Sequence, residues 1–190
     1  MNGFELRKQK KMQQIEEATE ILINQKGLEN TTIQEIADLA KVSKGTIFNY
    51  YDSKEGLAKV IFMNYFKKIK EEFADLFAQE LDFETTFREI TKLKLKLSEE
   101  TNVNFYESIM QLFSEEDNFI LEEYKKKGME QTEELLRKGR EEGKISSRYS
   151  DELLHLYLNL FIEGVKKPEI YQNIFPFTEE IITMFLNGLN

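Results

Sequence analysis

With 190 residues, 41% of them hydrophobic, and a formal charge of −9, the chain is long and apolar enough to bury a sizeable core, as one medium domain or as two compact units. The absence of cysteine excludes disulfides, thiolate nucleophiles and sulfur-ligated metals, and a single histidine excludes the usual zinc sites, so neither cofactor nor metal is expected. The most apolar stretch, Leu153 to Val165, is interrupted by His155, Asn159 and Glu163 and is too short for a bilayer span, and the N-terminus is polar. These features predict a cytoplasmic protein without membrane attachment.

The negative charge is unevenly spread. Residues 1–54 carry eight Lys/Arg against eight Asp/Glu, so the whole of the −9 belongs to the remainder. An acidic total therefore does not exclude a nucleic-acid partner for the N-terminal part.

Two prolines, nine glycines and apolar residues at three-and-four spacing predict an all-α chain of about nine helices. The first runs from about Leu6 to Lys26 with Ile15, Ala18 and Leu22 on one face, and Gly27 stops it. Thr32 and Glu35 have the spacing of a capping box, so a second helix begins there, with Ile33, Ile36, Ala37 and Ala40 inward. It is short: Lys41-Val42-Ser43 breaks the pattern, and Ser43 is an N-cap for a third helix, Lys44 to Tyr51. Asp52 and Ser53 cap a long fourth helix from Lys54 to about Ala78, whose core face is Leu57, Ile61, Tyr65, Ile69, Phe73 and Leu76 or Phe77. Further helices are predicted at Phe83–Leu97, Asn104–Phe113, Glu116–Glu142, Ser150–Lys166 and Pro176–Leu189.

Two short helices joined by a three-residue turn and backed by a preceding helix make a helix-turn-helix. In its second helix Ile47 and Tyr51 point inward, leaving Lys44, Thr46, Phe48, Asn49 and Tyr50 outward. Lys44 and Asn49 can bond base edges, Thr46 offers a hydroxyl and a methyl, and Gly45 lets the backbone approach a duplex closely. Lys54, in the first turn of the next helix, can hold a phosphate. The early cations Arg7, Lys8, Lys10 and Lys11 suit flanking phosphates or a minor groove as well as they suit a solvated face.

The runs Thr32-Ile33-Gln34-Glu35-Ile36-Ala37 and Val42-Ser43-Lys44-Gly45-Thr46-Ile47-Phe48-Asn49-Tyr50-Tyr51-Asp52-Ser53-Lys54-Glu55-Gly56-Leu57 resemble the DNA-binding signature of TetR-family regulators over roughly residues 10–58. The resemblance implies phosphate contacts from Thr32, Phe48, Tyr50 and Lys54. It implies base reading by Lys44, Gly45, Thr46 and Asn49, with Gln34 a possible addition and Ser43 in the DNA-facing set. Two positions depart from the family pattern. Phe48 stands where tyrosine is more frequent, and Lys41 stands at the common turn glycine, a cost if that residue needs positive φ.

The resemblance also implies a division into a DNA-binding domain, residues 1–53, and a ligand-sensing and dimerisation domain, residues 54–190. The implied partners are a double-stranded DNA operator, a second copy of the chain and a small apolar or aromatic effector. Thirteen of the fifteen phenylalanines follow residue 54, and Phe62, Phe66, Phe73, Phe87, Phe105 and Phe113 are candidates to line an effector pocket. The last two helices would build a twofold interface, with Leu154, Leu158, Phe161, Ile162, Ile181 and Phe185 as candidate contacts. The polar line His155, Asn159 and Glu163 reads first as a solvated stripe or an interface seam, and second as a source of ligand contacts.

The function expected is a sequence-specific regulator, acting as a homodimer on a palindromic operator and released from it by a ligand. An alternative is a helical ligand carrier or interaction module with a vestigial helix-turn-helix. An enzyme is disfavoured: there is no Gly-rich phosphate loop, no His-x-x-x-His pair and no nucleophile elbow, so no catalytic residue is assigned.

Overall fold

The structure, a computed structural model, describes residues 3–113, 118–165, 173 and 175–189. Among them are nine bounded α-helices and no strand: α1 (Gly3–Lys26), α2 (Ile33–Ala40), α3 (Lys44–Phe48), α4 (Lys54–Phe77), α5 (Phe83–Glu100), α6 (Val103–Leu112), α7 (Asn118–Glu141), α8 (Asp151–Val165) and α9 (Thr178–Gly188), the last preceded by a 3₁₀ turn, Phe175–Phe177. None is long and apolar enough to cross a membrane. The helices pack as two compact units, one of Met1–Ala74 with Lys94–Lys125, the other of Asp75–Leu93 with Lys126–Asn190.

In the first unit, hydrophobic periodicity becomes one core. Ile15 and Ile23 of α1, Ile36 of α2, Ile47 of α3, and Leu57 and Phe62 of α4 are completely buried. Phe105 and Phe113, from α6 and its C-terminal end, belong to the same cluster. The Phe62 ring meets Phe105 edge-on at 5.1 Å between centroids, and Phe113 lies 6.3 Å away. Phe66 stands 6.1 Å from Phe113 and 5.2 Å from Tyr124. Phe62, Phe105 and Phe113, expected to line an effector pocket, thus spend their surface on core packing. Large rings fill a junction of several helices with fewer voids than aliphatic side chains would.

A polar seam fastens α6 to the end of α1. The Asn104 amide donates to the Asn24 and Gln25 carbonyls, each at 3.1 Å, and the Leu28 N–H donates to Ser108 Oγ at 2.9 Å. These bonds occupy carbonyls left open where α1 ends and the amide just beyond Gly27, whose φ is +80°. Asn102 also donates to the Asn24 carbonyl and is the N-cap of α6, so that helix begins one residue earlier than periodicity suggests.

The second unit is built on Phe83, Leu135, Leu136, Ile145, Leu154, Ile182, Phe185, Leu186 and Leu189. At Gly139 in α7, a Cβ would fall 2.7 Å from Ile145 Cδ1 and 2.8 Å from Phe83 Cδ2, so only glycine lets these side chains close over the helix. The Arg140 guanidinium spans the turn into α8, donating to the Ser146 and Tyr149 carbonyls and to Asp151 Oδ1 at 2.7 Å.

Here the candidate interface residues divide. Leu154 and Phe185 are buried in this unit's own core, Leu158 and Ile181 are half-buried, and the side chains of Phe161 and Ile162 lie outside the described residues. Among the described side chains, the exposed apolar positions of α8 are instead Leu153, Leu156, Tyr157 and Leu160. A helix apolar nearly all round does not declare which stripe faces inward.

Two boundaries shift in the DNA-binding segment. α1 begins at Gly3 rather than Leu6, and α3 ends at Phe48, with Asn49 as C-cap, rather than at Tyr51. Lys41, the C-cap of α2, has φ +55° and ψ +44°, the left-handed conformation in which its N–H reaches the Ala37 and Asp38 carbonyls. A side chain costs about 1–2 kcal/mol in that region. Lys41→Gly is therefore expected to stabilise the chain by about 0.5–1 kcal/mol after glycine's greater unfolded-state entropy is set against the relief. Denaturant unfolding with unchanged m-value is the check, and no gain in midpoint would show that Lys41 is not strained.

Candidate nucleic-acid interface

The recognition segment is assembled by caps at both of its starts. The Thr32 hydroxyl accepts from the Glu35 N–H at 3.3 Å, and Glu35 Oε2 accepts from the Thr32 N–H at 3.0 Å and from its hydroxyl at 2.7 Å. Lys26 closes on the other carboxylate oxygen at 2.5 Å. The Lys26 bond first, then those from Thr32, hold the Glu35 carboxyl down at about 2. The Ser43 hydroxyl in turn accepts from the Thr46 N–H at 3.1 Å and lies 2.9 Å from the Thr46 hydroxyl. Ser43 and Thr46 thus hold each other as the cap of α3.

Ile47 is completely buried and Tyr51 nearly so, which turns the opposite side of α3 to solvent. Lys44, Gly45, Asn49 and Phe48 are exposed, Phe48 to 52%. Thr46 and Tyr50 are half-buried, less outward than alternation around a helix suggests. The Lys8 ammonium lies 5.9 Å from the centre of the Tyr50 ring, so an early cation of α1 stands beside the recognition segment. Thr32 and Gln34 are exposed at the start of α2, with the Gln34 amide donating to Asp38 at 2.7 Å.

Lys54 is placed otherwise than a free phosphate ligand would be. Its half-buried ammonium donates to the Leu28 carbonyl at 2.8 Å and to the Thr31 carbonyl at 3.0 Å. Two of its three donors therefore tie α4 to the α1–α2 turn, leaving one for an anion. Ser53, not Asp52, caps α4, accepting from the Gly56 N–H at 2.9 Å.

Periodicity alone also missed Glu16. Its Oε1 accepts from the Tyr51 hydroxyl at 2.6 Å and its Oε2 from the Asn64 amide at 3.3 Å. Burial, and then the Glu16 carboxylate, push the Tyr51 phenol well above its ordinary value, so it stays a donor. Beside this contact lies a polar depression of about 170 Å³, lined by Glu16, Glu20, Ile61, Asn64, Tyr65, Lys68, Glu100 and Thr101. Among the described residues no group of three His, Asp or Glu is arranged to hold a metal ion.

A cationic and amide-bearing exposed face on a short helix, backed by a capped neighbour, is suited to base edges in a major groove. Residues 15–61 match the sequence model of "Bacterial regulatory proteins, tetR family". No curated relative matches the chain. Among solved structures it is similar to a protein described as a probable transcriptional regulatory protein, RHA5900, with a TM-score of 0.70 at 19% identity over 94% of this chain and 98% of that one. It is also similar to the fatty acid degradation regulator FadR from Bacillus halodurans, with a TM-score of 0.66 at 20% identity over 95% and 96%. The TetR transcriptional regulator SCO0520 from Streptomyces coelicolor shares the fold with a TM-score of 0.60 at 17% identity over 94% and 98%.

The Glu35 cap makes a pH prediction. Because its folded pKa of about 2 lies below the 4.5 of a free glutamate, its contribution to stability is present above pH 4.5 and is lost as pH falls toward 2. Glu35→Gln should therefore lower the thermal midpoint at pH 6, and the gap from the parent chain should shrink steadily between pH 4.5 and 2. A gap independent of pH would rule out an ionised cap.

Proposed function

We propose that this chain, which belongs to the TetR family through its N-terminal helix-turn-helix, is a ligand-released repressor that binds a palindromic operator as a homodimer. That it is a DNA-binding transcriptional regulator follows from the family and the fold. The finer reading rests most heavily on the exposed set Lys44, Gly45, Phe48 and Asn49 on a helix whose other side is buried.

In this reading Lys44 and Asn49 bond base edges, and Phe48, lacking a hydroxyl, packs on a thymine methyl or a sugar. Tyr50, the first-turn amides of α2 behind Thr32, and the remaining donor of Lys54 meet phosphates, while Ser43 and Thr46 set the helix start and Gln34 adds a polar contact at the groove edge. Two copies would present their α3 helices to successive major grooves roughly 34–36 Å apart. The stripe Leu153, Leu156 and Leu160 of α8, at i, i+3 and i+7, with Tyr157 beside it and Met184 exposed on α9, is the apolar surface offered to the second copy.

An apolar or aromatic effector would act by binding better to the conformation with the wrong helix spacing, weakening DNA binding by its differential affinity. Of the candidate aromatic residues, Phe66 and Phe73 of the first unit and Phe87 of the second are half-buried, and Phe87 retains surface to offer an effector bound within the second unit. Among the described residues the His155 Nε2 is buried without a hydrogen-bond partner, and it is a polar atom such a ligand could satisfy.

In vitro selection of bound DNA, followed by anisotropy titration, tests the core of the proposal. Lys44→Ala and Asn49→Ala should each weaken binding to the selected operator by about 1–3 kcal/mol while leaving dimerisation intact. Absence of any sequence-selective, salt-sensitive binding would sink it. Leu156→Glu combined with Leu160→Glu should convert the dimer to a folded monomer in sedimentation and abolish tight operator binding. A dimer that survives both charges would place the interface elsewhere.

A further inference from the structure

We propose that Glu16 is a positioning residue for DNA reading, its carboxylate fixing the end of the recognition segment by gripping Tyr51 with one oxygen and Asn64 with the other. The inference rests on the DNA-binding reading above and names the contact that would hold the reading helix in register.

α3 is a single turn and a half, and its last described hydrogen bonds run from the Tyr50 and Tyr51 N–H groups to the Ile47 carbonyl at 3.0 and 2.9 Å. Beyond Ile47, this end is attached to the rest of the unit by the buried Tyr51 ring and by Tyr50, half-buried against the same core with the Lys8 ammonium near its ring. Apolar burial is not directional, so a ring in a greasy socket resists removal but tolerates small rotations and slides. A 2.6 Å bond from a phenol to a carboxylate does not, because it is short, charge-assisted and angle-dependent.

Glu16 follows the completely buried Ile15 on α1, so its own backbone is anchored. Its second oxygen takes the Asn64 amide of α4 at 3.3 Å. One side chain thereby references the end of the recognition segment to two supporting helices at once. Side chains that read bases must be held to about 0.5 Å, which makes such a fixed reference useful beyond its effect on stability.

The competing explanation is that Glu16 merely satisfies a buried hydroxyl. Tyr51→Phe separates the two, since it keeps the ring and deletes only the bond. Operator affinity should fall by about tenfold, the size expected when a charge-assisted hydrogen bond is lost. The ratio of affinities for the selected operator and for a single-base variant should fall with it. Glu16→Ala should reproduce both effects, and the double variant should be no worse than either single one. Glu16→Gln, which keeps one acceptor oxygen for the Tyr51 hydroxyl but loses the charge and the second acceptor, should recover only part of the loss.

A second measurement needs no DNA. In the free full-length chain, hydrogen exchange at the Asn49, Tyr50 and Tyr51 amides should quicken by about tenfold in Tyr51→Phe and Glu16→Ala, with the amides of α2 unchanged. Parental affinity and discrimination in Tyr51→Phe, or unaltered exchange at those three amides, would overturn the inference. A parent chain that binds no sequence selectively would instead count against the regulator reading, and the exchange experiment would still decide the role of Glu16.

Discussion

A helix of five residues is not stable in water, because the cost of ordering its first turn exceeds what its few hydrogen bonds return. α3 exists because Ile47 is completely buried among side chains from α1, α2 and α4, and because Ser43 occupies the Thr46 amide in its first turn. That one burial decides which residues are presented to a duplex. With Ile47 pointing inward, Phe48 and Asn49 are turned outward, and Lys44 is exposed at the start of the helix. The candidate interface is thus a by-product of core packing, and any substitution that loosened Ile47 would disperse it without touching a contact residue.

The remaining polar contacts of this unit tie separate stretches of chain to that core. Thr32, Glu35 and Lys26 start α2, Lys54 joins α4 to the α1–α2 turn, and Asn104 and Ser108 join α6 to the end of α1. Phe105 and Phe113 complete the apolar interior from some fifty residues farther along. The compact unit that carries the recognition helix is therefore larger than residues 1–53, taking in the chain to Ala74 and Lys94–Lys125. A segment as short as the first three helices buries too little surface to be indifferent to what closes over it.

The aromatic residues illustrate how far composition can be read. Their number after residue 54 is correctly seen as a store of large apolar surface, but a phenylalanine that lines a cavity and one that fills a core have the same periodicity. Phe62 and Phe105 meet edge-on and leave no surface to a ligand, while Phe87 stacks on Phe185 at 4.8 Å in the other unit. The same ambiguity governs α8. Its leucines spread over more than half of the circumference, and packing with Ile182 and Phe185 makes Leu154 core while Leu153, Leu156 and Leu160 are exposed.

What the sequence by itself determined is the local chemistry: the all-helical class, the capping box at Thr32 and Glu35, the Ser43 cap, the stop at Gly27 and the inward pair Ile47 and Tyr51. Each of these depends on residues within about one helical turn of one another, so spacing alone reveals it. The tertiary structure decided everything that needs two distant segments to meet. It bound the Lys54 ammonium to the Leu28 and Thr31 carbonyls, set Glu16 between Tyr51 and Asn64, and sent Phe62, Phe105 and Phe113 into one core. The hydrogen bonds among those contacts span from 23 to 48 residues of chain, and no periodic pattern records which partner a side chain will find across such a distance.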